Sequence, residues 1–401
     1  MRIGIDGGCL ANRRGFGRFA RETIKALAEA ETKHDFVVIV DRPSLDEVRS
    51  AIPDSFETIV VETRRAPSEA ASAQGNRSPR DMIAMGAATA RARLDLLYFP
   101  ATYTFFPVWN APRVVVTMHD TLALRSPELV FSNARGRLFW RMKEHAAAAW
   151  ADRIATVSET AKRDLVDWFR LPSESVFVVP ESVDPIFRPI DPANRSRSAL
   201  SRYGVDPDRP FVLYVGGLSP HKNIPRLIEA FARVDHSRAV LVLVGDLADR
   251  FLTEVPLLRS TAERFGIADR VVLTGYVPDA DLVHFYNSSL FLVQPSLMEG
   301  FGLPPVEAMT CGAAIAASRA GSLPEVVGNA GLYFDPRNIE EMASVLSLMI
   351  GDRSVRARSS ARAIERSLRF TRGSSARVLI SVFEELSPLG RDGAARIRRP
   401  A

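Results

Sequence analysis

Residues 290–309 read LFLVQPSLMEGFGLPPVEAM: a short apolar run, a turn containing two glycines, then two prolines leading into an apolar stretch. The run Leu290 to Gln294 is the length of a buried strand. Pro304 and Pro305 suit the first turn of a helix, Gly312 supplies a stop, and Glu307 is expected in that first turn. The segment therefore reads as strand, loop and helix, with Glu299 on the loop. In a doubly wound parallel sheet ligands meet the carboxyl ends of the strands, so such a loop belongs to a binding edge. The backbone amides of Gly300, Phe301, Gly302 and Leu303 would lie near a positive helix end, a cradle for phosphate or sugar oxygens.

The same alternation of Val-, Ile- and Leu-rich runs with amphipathic stretches extends in both directions. Upstream it runs from Ile3–Ile5 to Val176–Val179, and downstream from Phe211–Val215 to Gly331–Phe334. Between these halves lies DPIFRPIDPAN, residues 184–194, the best linker candidate. The expected division is a first domain 1–187, a second domain 188–370, an amphipathic helix 371–387 and a basic tail 388–401. Residues 64–79, polar and without periodicity, read as a mobile loop. The fold class is α/β: two Rossmann-like doubly wound domains facing across a cleft.

At 401 residues the chain exceeds the roughly 150 expected of one domain. Its 46% hydrophobic and 25% charged residues match a soluble globular protein rather than a disordered or fibrous one. The formal charge of +5 is too small for a dedicated nucleic-acid binder, and residues 391–401 alone supply +3 of it. Two cysteines, Cys9 and Cys311, give neither a disulfide framework nor a zinc pattern. With no long apolar run and no leader pattern at the start, a cytoplasmic location is expected. Basic helices over residues 353–369 and the basic tail leave peripheral contact with the inner membrane face open, as solvated faces would also explain them.

Lys222 follows a strand and the Gly216-Gly217 turn, just before a helix, where an ammonium and helix amides can meet a diphosphate. A surface lysine is the alternative reading. Gly15 and Gly17 follow the first strand and allow close backbone approach to a ligand, though the full dinucleotide fingerprint is missing. Asp279-Ala280-Asp281 is spelled like a metal triad but precedes a helical pattern, and Asp279 reads as a helix cap. No His, Cys or carboxylate cluster has metal-ligand spacing, so neither metal nor other cofactor is expected.

A Glu, seven residues and a second Glu around Gly-Phe-Gly-Leu-Pro resemble the signature of retaining glycosyltransferases of family 4, which have the GT-B fold. The resemblance continues at Gly15-Phe16-Gly17-Arg18, Thr117-Met118-His119-Asp120, Val157-Ser158-Glu159, Val215 to Asn223, Gly275-Tyr276-Val277 and Gly321-Ser322-Leu323-Pro324-Glu325. The wording Ser219-Pro220-His221-Lys222-Asn223 resembles bacterial mannosyltransferases that use GDP-mannose. By this resemblance Glu299 contacts donor-sugar hydroxyls, Glu307 the nucleotide ribose and Lys222 the leaving diphosphate. His119 is implied near the donor sugar, and Val277 with its neighbours beside the base. Many family members carry Arg where this chain has Gly217; Arg226 or backbone amides are the replacements.

The implied activity is retaining transfer of a hexose, mannose by best match, from a nucleotide sugar to a glycan or lipid-linked acceptor in polysaccharide biosynthesis. A nucleotide-sugar epimerase of the same architecture and a catalytically silent nucleotide-sugar binder are the alternatives.

Overall fold

Val, Leu and Ile dominate the strands because both faces of each sheet are covered, and the burial follows: every residue of Leu96–Phe99, Val114–Thr117, Phe211–Val215 and Val240–Val244 is buried. The computed structural model describes residues 1–12, 14–65, 78–109, 113–131, 133–234, 238–247 and 255–387. Most of the loop expected at 64–79 and all of the tail 388–401 lie outside the described residues. The chain divides into two units. The first comprises Met1–Pro127, Phe131–Ser182 and the chain from Phe370 onward; the second comprises Glu128–Val130 and Val183–Arg369.

The first unit holds a seven-stranded sheet of β1 (Arg2–Asp6), β2 (Asp35–Asp41), β3 (Glu57–Val61), β4 (Leu96–Phe99), β5 (Val114–Thr117), β6 (Arg153–Thr156) and β7 (Val176–Val178). The order is β3-β2-β1-β4-β5-β6-β7 and every pairing is parallel. The order reverses between β1 and β4, which opens a crevice at their carboxyl ends. Helix Arg372–Glu385 closes this unit. Arg372 bonds Glu22 at 2.7 Å and Glu29 at 2.6 Å on helix Gly15–Glu29. Phe383, fully buried, meets the Tyr98 ring of β4 at 5.6 Å.

The second unit holds six parallel strands, β8 (Phe211–Val215), β9 (Val240–Val244), β10 (Val271–Gly275), β11 (Phe291–Gln294), β12 (Ile315–Ser318) and β13 (Gly331–Phe334), in the order β10-β9-β8-β11-β12-β13. Its reversal falls between β8 and β11. The proline-rich stretch read as a linker is docked on this unit. Phe187 is buried against Tyr286, and Ile190 N–H donates to Asn287 Oδ1 at 2.7 Å. Asn287 Nδ2 in turn donates to Arg188 O at 3.0 Å, so side-chain partners tie this backbone down, which a polar composition alone does not reveal.

Candidate active site

The second unit brings Lys222 and Glu299 together from opposite sides of the β8/β11 reversal. After β8 the chain leaves through Gly216 and Gly217, forms a tight turn Pro220–Lys222, and enters helix Ile224–Ala232 through Asn223. Asn223 has φ of +62°, a left-handed conformation that Asn tolerates better than most residues. Its amide nitrogen donates to Pro295 O at 3.0 Å and Pro336 O at 2.7 Å, while Leu297 N–H donates to His221 O at 2.8 Å. These bonds latch the loop after β8 to the loop after β11. Lys222 Nζ then donates to both oxygens of Glu299, at 2.7 and 2.9 Å.

Glu299 Oε1 also accepts from Ser296 Oγ at 2.6 Å and Gln294 Nε2 at 2.8 Å. Burial alone would push this carboxyl up; the Lys222 ammonium, His221 and the hydrogen bonds from Lys222 and Ser296 outweigh it and hold it below the usual carboxylate range. The loop itself is braced from behind. Ser322 N–H and Oγ donate to Glu299 O at 3.1 and 3.0 Å, and Ser322 Oγ reaches Phe301 O at 2.8 Å. Gly321 has φ of +56°, and a Cβ there would stand 2.6 Å from Glu299 O, so this position admits only glycine without moving the loop.

Gly302 turns with φ of +103° directly into helix Leu303–Thr310. Because the helix starts at Leu303, Glu307 stands in its second turn, not in the first as the sequence suggested. Its side chain is buried and its Oε2 accepts from Tyr286 Oη at 2.7 Å. Phe301, Leu303 and Val277 are buried as well. Gly216 N–H donates to Val244 O and Gly245 N–H to Gly275 O, so backbone hydrogen bonds join the carboxyl ends of β8, β9 and β10. At Gly217 a Cβ would meet nothing nearer than Ser219 Oγ at 3.8 Å. Arg226 is exposed and donates to Asn223 Oδ1 at 3.0 Å.

His221, beside Lys222, is lowered to about 3, first by burial and then by the Lys222 charge. A neutral imidazole is therefore built into the fold, while the unfolded chain takes up a proton below its ordinary value. The sign follows: stability falls as pH drops from about 6.5 toward about 3. Each unit of pH in that window costs up to about 1.4 kcal/mol. Thermal melts of the wild type and His221→Gln across this range check it, the variant losing less stability on acidification.

In the first unit, His119 lies two residues past β5 and is 7% exposed. Its Nε2 stands 3.1 Å from Pro100 O, its Nδ1 3.5 Å from Glu181 Oε1, and the rings of Phe16 and Phe19 meet it edge-on at 4.8 Å. Both ring nitrogens thus face acceptors within the unit. Gly15 opens helix Gly15–Glu29 with nothing near its Cβ position, but at Gly17 a Cβ would fall 1.7 Å from Asn12 O. Gly17 is what lets that helix rest on the turn after β1, which Arg21 also ties down through Leu10 O and Asn12 O.

Pro278 caps helix Asp279–Ser288, so Asp279 is its first residue and not its cap. Asp281 is taken by Arg202 at 2.7 Å and Tyr203 at 2.8 Å, a tie between helices. Sequence reasoning missed Gln294, Ser296, Asn223 and Tyr286. In the first unit it missed Glu181 and Glu144, the latter buried, accepting from Thr102 Oγ1 at 2.6 Å and pushed up to about 7, chiefly by burial.

Two doubly wound parallel-sheet units, the second carrying a lysine–glutamate pair across its order reversal, define the GT-B architecture. The comparisons agree. Residues 13–187 match the model of Glycosyltransferase Family 4 and residues 198–366 that of Glycosyl transferases group 1, and the chain belongs to the glycosyltransferase family that these two domains describe. It is 28% identical over 93% of its length to the serotype-specific mannosyltransferase WbdA of Escherichia coli, covering 46% of that protein. It is 27% identical to the O-antigen chain mannosyltransferase B of Escherichia coli, over 89% of this chain and 92% of the other. The fold is similar to that of Anabaena Alr3699/HepE, solved in complex with UDP and glucose, with a TM-score of 0.71 at 19% identity over 96% of this chain and 100% of that one. The chain spans less than half the length of the WbdA relatives it matches.

Proposed function

We propose that the chain transfers mannose from GDP-mannose, with retention at the anomeric carbon, to a glycan or lipid-linked oligosaccharide in polysaccharide biosynthesis on the cytoplasmic side of a membrane. The observation that carries this reading is the Lys222–Glu299 pair at the β8/β11 reversal. The mannosyltransferase names of two relatives that align along most of the chain support the choice of sugar.

In this reading the diphosphate takes over the Lys222 ammonium, which Glu299 otherwise satisfies. The ionised Glu299, oriented by Ser296 and Gln294, accepts hydrogen bonds from vicinal sugar hydroxyls and favours positive charge on the ring as the bond to phosphate breaks. The acceptor oxygen bonds to the anomeric carbon on the face the nucleotide leaves, and its proton passes to the departing phosphate oxygen. Arg226, the next cation along the chain after Lys222, or backbone amides replace the arginine that many family members carry at Gly217, and Glu307, oriented by Tyr286, serves the ribose. No divalent metal is required.

The test is nucleotide release and product formation from GDP-mannose and UDP-glucose with a mannan or lipid-linked oligosaccharide acceptor, the new linkage being read by NMR. An α-mannosyl product from GDP-mannose, undiminished by chelator, is the expected result. An inverted linkage or a requirement for magnesium contradicts the mechanism. Transfer from UDP-glucose alone replaces the donor.

A further inference from the structure

Helix Ala134–Trp150 presents an apolar surface where a helix of a soluble domain presents a polar one. Its inner side is tied to the first unit: Glu144 is buried and holds Thr102, and Lys143 donates to Tyr103 O at 3.1 Å. On the outer side of the first turns Leu138 is 61%, Phe139 36% and Met142 62% exposed. Leu138 and Met142 are four residues apart and share a face. Arg135 and Arg141 are exposed beside them, and residues 134–143 contain no Asp or Glu. Exposed Leu, Phe and Met set among arginines, with no acid between, match a surface that is apolar a few ångströms down and negative at its boundary. No helix among the described residues is long and apolar enough to cross a membrane, so the contact would be superficial.

We propose that this face docks the first unit on an anionic phospholipid bilayer, with Leu138, Phe139 and Met142 inserted at the headgroup boundary and Arg135 and Arg141 on lipid phosphates. The inner side of the same helix holds the loop Thr102–Thr104 that follows β4, beside the ring of Phe16. Docking therefore anchors the loop cluster at the β1/β4 reversal next to the bilayer, where a lipid-linked acceptor resides. The inference extends the acceptor reading above but does not need the donor assignment.

Cosedimentation of the full chain with vesicles of phosphatidylcholine alone, or mixed with phosphatidylglycerol, tests it. Binding is expected on the mixed vesicles, weakening as salt rises. The triple change Leu138→Ser, Phe139→Ser, Met142→Ser reduces it more than about tenfold. Arg135→Ser and Arg141→Ser each reduce it about fivefold. All these side chains are exposed, so melting temperature and GDP binding stay at wild-type values. The proposal is overturned if the triple variant binds as the wild type does, if replacing the four arginines of residues 391–399 abolishes binding that the triple variant keeps, or if no vesicle binds the chain. It is equally overturned if the face instead mediates self-association, seen as a dimer that the triple variant converts to monomer. Vesicle binding without sugar transfer leaves this inference standing and removes the donor reading; transfer without vesicle binding does the reverse.

Discussion

On the proposed role of Lys222 at the departing diphosphate, replacing it by alanine lowers turnover about 10²-fold or more, because the charge that develops there loses this cation. The same change destabilises the second unit. Glu299 remains under the loop with Ser296 and Gln294 as donors but no cation, and removing one partner of a buried pair costs about 3–5 kcal/mol. Side-chain exposures of 17% for Lys222 and 11% for Glu299 place the expected loss at the lower end. A unit of this size shifts its melting temperature about 2–4 °C for each kcal/mol.

The pH dependence separates the two effects. In the wild type the Glu299 carboxyl is held below its ordinary range, so it contributes stability above the unfolded value, and this is lost as pH falls through the folded one. In Lys222→Ala the burial that the ammonium had outweighed is unopposed, the carboxyl moves up, and its protonation relieves the strain. The gap in melting temperature between wild type and variant therefore narrows on acidification from neutral pH. Melts of both proteins across pH measure it, and a gap constant with pH would mean that Glu299 carries no charge in the fold.

Glu299→Gln lowers turnover by a comparable factor, about 10²–10³, with little loss of stability. The amide keeps an oxygen for Ser296 and Gln294, and the Lys222 ammonium left without its carboxylate sits on a long flexible stem, 17% exposed, that can turn its charge toward water. On the proposed mechanism, what disappears is the charge that favours the developing positive ring. The double variant distinguishes this from general damage. Glu299→Gln should restore most of the stability lost in Lys222→Ala, since the unpaired carboxylate is gone, without restoring turnover, a coupling that steady-state kinetics and melts on the four proteins read directly. If the double variant melts as low as the sum of the single losses, the two side chains do not act as a pair.

The paired-sheet fold and the positions of Glu299 and Lys222 were legible in the sequence because they depend on local patterns: an apolar run, a glycine turn, a helix start. The residues that orient them were not. Asn223 acts through carbonyls 72 and 113 residues away, and Tyr286 reaches Glu307 from the helix before β11. Gln294 reads as the last residue of an apolar strand, and only the turn at Ser296 brings Glu299 back over it. Glu307 was displaced by a turn because Gly302 adopts a left-handed conformation and lets the helix begin immediately afterwards. In the first unit, the close fit of Gly17 on Asn12 O depends on how the turn after β1 folds, and the surroundings of His119 come from Pro100 and Glu181, which no spacing connects to it.

Titration calorimetry of GDP-mannose into the wild type and Lys222→Ala, at a temperature where both are folded, addresses the donor site most directly. Binding to the wild type and at least about tenfold weaker binding to the variant is the predicted result, since one charge-assisted contact to the diphosphate contributes about 1.5–3 kcal/mol. Equal affinity in the two proteins, or no binding of GDP-mannose to the wild type, would contradict the account.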